Sequence, residues 1–357
     1  MRSFIYETLP SRVIFGAGKL AELKSETEAL GQKALILSTA SQVSLAEQAA
    51  ELLHDSAVGV HAEAVMHVPQ EKVDDAVKVV DKLGAKVLVA IGGGSTIGLA
   101  KGMALETGLP ILAVPTTYAG SEMTHIWGIS KDGHKTTGKR SLVKPKTVIY
   151  DPTLTKHLPP AISATSGMNA VAHSVEALYA EHRNPVVSLM AEESIKALAS
   201  SLPQILKEPF SVSARSEALY GAWLAGTVLG MVGMALHHKL CHVLGGTFNL
   251  PHAETHTVIL PHATAYNASH APDAMNRIAQ ALGTTQNAAA ALYDLERSLN
   301  TPLSLKELGM TESQLDEAAD IAVQNPYYNP RPVTRKSVRE VLQNAFEGRR
   351  PKGVVSG

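Results

Sequence analysis

The sequence is short of cysteine and of net charge, and each shortage excludes a class of protein. Cys241 is the one cysteine among 357 residues, so an intrachain disulfide framework is impossible and a reducing cytoplasm is the expected compartment. A formal net charge of -1 gives no electrostatic case for a nucleic-acid partner or an anionic membrane. Hydrophobic residues make up 45% of the chain and charged residues 18%, which predicts a large packed core rather than disorder.

Long apolar runs are also missing from the chain. No stretch reaches the ~20 apolar residues that a membrane-spanning helix needs. The most apolar segment, residues 224–236, contains several glycines and stops at His237, which is typical of a buried helix. The N-terminal segment carries early charge without a long apolar run, unlike a signal peptide. We therefore expect a cytoplasmic protein with no membrane partner.

The pattern of apolar and polar residues changes near Pro152. Before that residue, short apolar runs alternate with amphipathic segments, which is the pattern of βαβ units and a parallel sheet. Strands are predicted at residues 34–39, 86–91 and 110–117, and helices at 44–55 and 71–84. After Pro152, long alanine- and leucine-rich segments predict helices at residues 161–180, 186–201, 213–236 and 335–346.

These patterns predict two domains of different class. Residues 1–152 are expected to form an α/β nucleotide-binding domain with a parallel sheet. Residues 153–357 are expected to form an all-α catalytic domain.

A triple glycine follows the predicted strand at residues 86–91. In "VLVAIGGGSTIGLAKG" the glycines Gly92, Gly93 and Gly94 lead into a helix opened by Ser95. Glycines allow the backbone to approach an anion closely, and a helix N-terminus adds exposed N–H groups and a positive dipole end. The segment therefore predicts a diphosphate cradle, although a tight turn without a ligand is the alternative. It is not the G-x-G-x-x-G fingerprint, so a standard Rossmann site is not implied.

A second polar turn follows the strand at residues 110–117. Thr116, Thr117 and Ser121 offer hydroxyl groups at the carboxyl end of that strand, where ligands bind in open α/β sheets. Taken alone, such residues are ordinary turn chemistry. The segment after the first predicted strand, residues 38–41, contains no acid to repel a 2′-phosphate, so NADPH should be tolerated as well as NADH.

Histidines are concentrated in the second half of the chain. Six of the fifteen lie between His237 and His262, and one further pair of interest is Asn169 with His173, four residues apart on one helix face. His238 and His242 have the same spacing, and His252 is predicted to lie in a loop. A single buried histidine is usually a hydrogen-bonded core residue. So many costly polar groups in an apolar domain indicate a functional site.

The donor set is incomplete for a metal. Three neutral imidazoles can hold Zn²⁺ in an open catalytic site, whereas Fe²⁺ usually needs a carboxylate as well. Asn169 would supply a neutral amide oxygen, and Glu176 is predicted to lie too far along the helix to replace it.

Taken together, these motifs resemble the iron-containing (group III) alcohol dehydrogenase superfamily. The resemblance rests on "GGGS…AK", "PTT…GSE", the pair at 169 and 173, and "H-x3-H-x2-G-x6-H" from His238 to His252, and it runs over nearly the whole chain. It implies a dehydroquinate synthase-like fold, a nicotinamide cofactor (NADH or NADPH) and a homodimer. Metal-binding members carry Asp at the positions of Asn169 and Gly98. Both acids are missing here, so the resemblance favours a member that works with no bound metal.

The resemblance also implies a reaction in the degradation of aromatic compounds. Hydride would add to a C=C bond conjugated to the ketone of a small dicarboxylate, and the charge developing on the ketone oxygen would be spread over an enolate. Imidazole hydrogen bonds can then replace a metal as the electrophile. His242 or His173 is expected to donate the proton, His238 and His252 to orient the substrate or enolate, and Asn169 to form a hydrogen bond.

A dicarboxylate substrate requires cationic partners. Arg140, Lys144 and Arg331 are the candidates, with a solvated surface cation as the alternative for each. Other functions remain open at this point: a metal-dependent (Fe or Zn) alcohol dehydrogenase, a dehydroquinate synthase-like lyase, or a nucleotide-binding protein without catalytic activity.

Overall fold

The computed structural model describes residues 4, 6–131 and 134–352, which form two compact units. One unit is Thr8–Leu158, and the other joins residues 4, 6 and 7 to residues 159–352. The predicted division at residue 152 falls within a short 3-10 turn, Pro152–Thr155, and remains a prediction about domains.

The first unit contains a six-stranded parallel sheet, as predicted. Its strand order is β1-β8-β5-β4-β2-β3, and β6 and β7 pair separately as an antiparallel ribbon. Strand β4 is buried along its whole length, which explains its continuous apolar sequence. The strands are β1 (Arg12–Phe15), β2 (Ala34–Leu37), β3 (Ala57–His61), β4 (Val87–Gly92), β5 (Ile111–Pro115), β6 (Ile126–Lys131), β7 (His134–Lys139) and β8 (Thr147–Tyr150).

Two helices of the first unit lie where the apolar periodicity predicted them, with small changes at their ends, and the helix after the glycine turn is present, whereas α1 (Leu23–Leu30) was not predicted. The helix predicted at residues 71–84 ends one residue earlier, because Gly84 forms a left-handed C-cap at φ 63°. The helix predicted at residues 44–55 ends at Leu53, where a 3-10 turn begins. The four helices are α1 (Leu23–Leu30), α2 (Val43–Leu53), α3 (Gln70–Leu83) and α4 (Gly94–Thr107).

The second unit is all-α in its described residues, which confirms that prediction. One apolar core lies among its C-terminal helices and includes Leu244, Ile259, Leu315 and Leu342. The helices are α5 (Pro160–Tyr179), α6 (Pro185–Lys207), α7 (Val212–Met231), α8 (Leu236–Phe248), α9 (His252–Asn267), α10 (Pro272–Ala281), α11 (Ala288–Ser298), α12 (Gln314–Ala322) and α13 (Arg335–Phe346).

Two predictions about this unit are wrong. The helix predicted at residues 213–236 is too long, because α7 ends at Met231 and a new helix, α8, begins at Leu236 after a bend of 98°. His252 does not lie in a loop, since it is the first residue of α9. No single described helix is long and apolar enough to cross a membrane, although α7 and α8 together pass that test by length and composition.

A chain of buried hydroxyl groups connects α5, α6 and α7. Ser174 Oγ of α5 donates to Ser194 Oγ of α6 at 2.8 Å, and Ser194 Oγ donates to the Gly221 carbonyl of α7 at 2.8 Å. Both serines have no exposed surface. Because small residues occupy these positions, the three helices pack closely around the hydroxyl groups.

We expect Ser194→Ala to lower the free energy of unfolding by about 1–3 kcal/mol, because it leaves the Ser174 hydroxyl and the Gly221 carbonyl buried without this partner. Urea denaturation measures the change. Ser200→Ala is the matched control, since Ser200 is exposed on the same helix, and it should stay within about 0.5 kcal/mol of the parent. Equal stability of the two variants would contradict the expectation.

Candidate functional site

The glycine turn of the first unit has no room for side chains at its first two positions. A Cβ at Gly92 would lie 2.3 Å from Thr96 Oγ1, and a Cβ at Gly93 would lie 2.8 Å from Thr117 Cγ2. Helix α4 begins at Gly94, one residue before the predicted Ser95. The turn before α4 therefore has no side chains that would shield the first amides of the helix. Exposed amides at a helix N-terminus can bind a phosphate.

The two polar turns of this unit are bonded to each other. The Thr116 amide donates to the Gly92 carbonyl at 3.1 Å, so the ends of β4 and β5 lie side by side. Gln42 Nε2 donates to Thr116 Oγ1 at 2.9 Å. Sequence analysis missed Gln42, which precedes α2 and carries no motif. Thr116 and Thr117 thus border the glycine turn.

Lys101 holds the segment that contains Ser121. This fully buried side chain of α4 donates to the Ser121 carbonyl at 2.7 Å, to Thr124 Oγ1 at 2.9 Å and to the Ile126 carbonyl at 2.8 Å. Burial lowers the pKa of Lys101 to about 7, whereas its oxygen acceptors favour the ammonium form. Lys101 therefore fixes the loop after β5 by hydrogen bonds from inside the protein. The sequence motif "AK" did not reveal this role.

Val68 fills the space beside Gly98. A Cβ at Gly98 would lie 2.6 Å from Val68 Cγ2. Val68 has a φ of +49°, which is unusual for a β-branched residue. Ser130 holds this segment, because its amide donates to the Val68 carbonyl at 3.0 Å and its hydroxyl to the His67 carbonyl at 2.8 Å. The acid expected at position 98 from the resemblance has no room in this arrangement.

In the second unit, four side chains form a continuous hydrogen-bonded chain. Asn169 Nδ2 lies 3.3 Å from His173 Nε2, and His173 Nδ1 lies 3.0 Å from His238 Nε2. His238 Nδ1 lies 2.5 Å from Glu176 Oε2. Because a carboxylate only accepts, His238 Nδ1 carries the hydrogen, and an uncharged His238 then accepts from His173. His173 in turn accepts from the Asn169 amide, so each hydrogen bond sets the direction of the next.

Glu176 is the functional residue that sequence analysis dismissed. Its carboxylate is 2% exposed and also accepts the backbone amides of Ala235 and His237, each at 2.8 Å. Those amides belong to the start of α8, whose first turn has no intrahelical acceptor for them. The carboxylate therefore anchors the N-terminus of α8 and orients His238 at once. The break between α7 and α8 creates this arrangement, and helix spacing along α5 alone could not reveal it.

His256 occupies the centre of a group of histidines. We define the histidine cluster as His173, His237, His238, His242, His252 and His256. The ring centroid of His256 lies 4.4 Å from that of His252, 4.8 Å from His237 and 5.0 Å from His238. His237 Nε2 and His256 Nδ1 are 2.9 Å apart, and burial lowers the pKa of both rings well below the usual value. These two rings pack edge-on against His238 and so help to hold the hydrogen-bonded chain that ends at Glu176. Sequence analysis assigned them no role.

Cys241 lies beside these two histidines. Its Sγ is 3.7 Å from His237 Nε2, and the donor atoms of Cys241, His237 and His256 all lie within 4.8 Å of one another. Burial raises the pKa of the Cys241 thiol well above its usual value, so the thiol form is favoured. The cysteine therefore packs as a small apolar residue, as predicted.

His242 differs from the other predicted catalytic histidines in its surroundings. Its ring is half-buried, and Nδ1 lies 3.0 Å from the hydroxyl of Tyr327. Tyr327 comes from the proline-rich loop that precedes α13, and burial raises the pKa of its hydroxyl. A histidine that is partly exposed to solvent is suited to exchange a proton with a ligand.

The three predicted substrate cations belong to different units. Lys144 is buried in the first unit and donates to the Leu9 carbonyl at 2.7 Å, and Arg140 is exposed in the same unit. Arg331 belongs to the second unit, where its Nη1 donates to the Tyr266 carbonyl at 3.1 Å. Their role toward a substrate stays a prediction.

Comparison with known proteins extends the resemblance found in the sequence. Residues 10–152 match the family described as iron-containing alcohol dehydrogenase, and residues 163–346 match its C-terminal family. A maleylacetate reductase of Sphingobium indicum is 54% identical, with the alignment covering 98% of this chain and 99% of the relative.

Solved structures agree with this comparison. The maleylacetate reductase of Rhizobium sp. strain MTP-10005 is 48% identical with a TM-score of 0.94, covering 98% of this chain and 100% of the other. An iron-containing alcohol dehydrogenase of Corynebacterium glutamicum is 44% identical with a TM-score of 0.93, covering 98% and 99%. The two structures share the fold of this chain under two different functional names.

We expect Glu176→Gln to lower the free energy of unfolding by about 1–3 kcal/mol, because an amide nitrogen would face one of the three N–H donors that the carboxylate now accepts. Urea denaturation measures the loss. Glu181→Gln, at an exposed position just beyond α5, is the control and should change stability by about 0.5 kcal/mol or less. An unchanged Glu176→Gln protein would remove the anchoring role.

Proposed function

Because the chain belongs to the iron-containing alcohol dehydrogenase family, we propose that it is a maleylacetate reductase. It reduces the C=C bond of maleylacetate to form 3-oxoadipate, late in the degradation of aromatic compounds. Relatives carrying that name match almost the whole chain at about half identity, for example 54%. The observation that carries the proposal is the chain from Asn169 through His173 and His238 to Glu176, in which a carboxamide stands at the end of an imidazole pair.

The proposed cofactor is NADH or NADPH, bound at the glycine turn. Side chains at Gly92 and Gly93 would collide with Thr96 and Thr117, so the turn presents backbone to a diphosphate. Tolerance of NADPH is supported by the end of β2, where the hydroxyls of Thr39 and Ser41 lie 3.0 Å apart and no acid follows the strand. The dihydronicotinamide supplies a hydride when it is bound.

The ligand set suggested by the sequence, Asn169, His173, His238 and His252, does not fit a tightly held divalent metal. Both ring nitrogens of His173 and both of His238 already face protein partners at 2.5–3.3 Å. The position best placed to add negative charge holds Asn169, a neutral and weaker ligand. His252 is exposed and packs against His256. These observations support a reaction without a bound metal, and neither the hydride addition nor the protonation proposed for it requires one.

Hydrogen bonding carries the proposed chemistry. Addition of hydride at the alkene carbon β to the ketone moves negative charge to the ketone oxygen, where conjugation delocalises it as an enolate. An N–H donor stabilises such charge when it is oriented in advance. The Asn169 amide is the proposed donor from this chain, and Glu176 orients it through His238 and His173. Asn169 ends the chain with an amide and leaves the cluster without a second carboxylate to repel a dianion.

His242 is the proposed proton donor to the carbon next to the ketone. It is half-buried, and Tyr327 restrains its Nδ1. His173 was the other predicted donor, but it is 4% exposed with both ring nitrogens engaged inside the protein. A donor must regain its proton after each turnover, so contact with solvent favours His242.

The other expectations remain part of the proposal. Arg140 and Lys144 remain the cations nominated for the substrate carboxylates, whereas Arg331, the third predicted cation, lines a cavity that contains no residue of the histidine cluster. A homodimer in the cytoplasm is expected from the resemblance. No partner other than a small dicarboxylate is proposed.

A metal-dependent alcohol dehydrogenase is the second candidate. One observation favours it, namely the carboxylate of Glu176 against His238, since metal-ligating histidines are often oriented in this way. The relative from Corynebacterium glutamicum carries the name iron-containing alcohol dehydrogenase. Metal analysis distinguishes the two candidates.

We expect oxidation of NADPH by maleylacetate to continue at the same rate after exhaustive treatment with EDTA, because no proposed step uses a metal. Elemental analysis should find less than one equivalent of iron or zinc. The matched variant Asn169→Asp restores a carboxylate and should raise the affinity for Fe²⁺ about tenfold or more. Loss of activity in EDTA that Fe²⁺ restores would favour the second candidate.

We expect His242→Ala to lower kcat for maleylacetate by about 10²-fold or more, since it removes the proton donor. Tyr327→Phe should have a smaller effect, of about tenfold, because the ring remains but loses its restraint at Nδ1. His270→Ala, at an exposed histidine of the same unit, is the control. A rate near that of the parent for His242→Ala would assign proton donation to another residue.

A further inference from the structure

The second unit contains a cationic cavity of about 590 Å³ between α9, α13 and the segment that follows α13. Four of its lining side chains are cationic, namely Arg331, Arg349, Arg350 and Lys352, whereas one, Glu340, is acidic. No residue of the histidine cluster lines it. We propose that this cavity binds a small organic anion with at least two negative charges, at a place separate from the histidine cluster.

One residue that lines the cavity has a buried polar atom without a partner. His262 is 4% exposed, and its Nε2 has no hydrogen-bond partner within the described ranges. Folded proteins rarely leave a buried polar atom in this state, so an atom of a bound molecule is the expected partner. Burial lowers the pKa of His262 to about 4, which keeps the ring neutral near pH 7. A neutral imidazole suits a hydroxyl or carbonyl group in the middle of a ligand.

Arg331 is positioned in advance at the wall of the cavity. Its guanidinium carbon lies 4.2 Å from the centre of the Tyr266 ring, and Nη1 donates to the Tyr266 carbonyl at 3.1 Å. The Tyr266 hydroxyl donates to the Pro332 carbonyl at 2.5 Å, which holds the loop carrying Arg331 against α9. One of the five N–H donors of the guanidinium is used in this way, and the others are available to an anion.

The uncompensated positive charge comes from Arg331 and Lys352. Arg350 pairs with Asp294 at 2.6 Å, and Arg349 pairs with Glu347, so these two arginines are partly neutralised. Neither Arg331 nor Lys352 pairs with a carboxylate across residues 4–131 and 134–352. Two such cations call for a ligand with two anionic groups.

The lining residues indicate the chemical class of the ligand. Two anionic groups would meet Arg331 and Lys352, and a neutral polar group would reach His262. A dicarboxylate and a phosphorylated metabolite share this chemistry. His256 and His262 are six residues apart on α9, a rise of about 9 Å along the helix, so the ligand is a second molecule and not the group reduced at the histidine cluster.

The test is isothermal titration calorimetry on the full chain, with succinate in one arm and inorganic pyrophosphate in the other. Binding of either probe at one per chain is expected, and the arm that binds identifies the source of the anion. Pyrophosphate could also bind at the glycine turn of the first unit, so variants of the cavity residues show which of the two sites holds the probe. The double substitution Arg331→Gln and Lys352→Gln should weaken binding about tenfold or more. His262→Phe should do the same without any change in charge.

Two matched variants control the test. Lys306→Gln removes an exposed lysine elsewhere in the same unit and should leave the affinity within about twofold. His242→Ala alters the histidine cluster and should also leave it unchanged. The proposal is overturned if neither probe binds at millimolar concentration, or if the double substitution has no effect. A loss in His242→Ala equal to that of the double substitution also overturns it. Because no arm measures turnover, failure of this site and failure of the proposed reductase are separate results.

Discussion

The buried carboxylate of Glu176 is the contact on which the arrangement of the second unit depends. It accepts the first amides of α8 and the Nδ1 hydrogen of His238 together. Removal of that acceptor would leave the start of α8 with buried donors that its own backbone cannot satisfy. The bend of 98° between α7 and α8 is therefore coupled to the orientation of the histidine that follows it.

In the first unit an irregular segment is held by a buried side chain of the opposite type, a lysine. Lys101 is buried in α4 and donates to carbonyl and hydroxyl oxygens of the loop that follows β5. In each unit a buried ionisable side chain has backbone hydrogen-bond partners, which offset part of the cost of removing it from water. Each of these side chains fixes an irregular segment at the place where candidate functional groups begin.

The chemistry of the site was easier to read from the sequence than its geometry. The glycine turn at 92–94 was found because a strand, glycines and a helix follow one another locally. Asn169 was recognised as a weak ligand because the identity of its side chain decides that point. The role of Glu176 is not visible in the sequence, because helix spacing along α5 does not show that the start of α8 lies beside it. His256 was passed over for the same reason, because its neighbours come from separate helices.

The sequence by itself determined the two classes of architecture and the residue types available for catalysis, because apolar periodicity and side-chain chemistry are local properties. Tertiary structure alone decided which of those residues meet. It ended α7 at Met231 and began α8 at Leu236, placed His252 at a helix start, and placed Arg331 in a cavity that no residue of the histidine cluster lines. Such contacts arise between segments far apart in the chain, and their geometry depends on how whole helices pack.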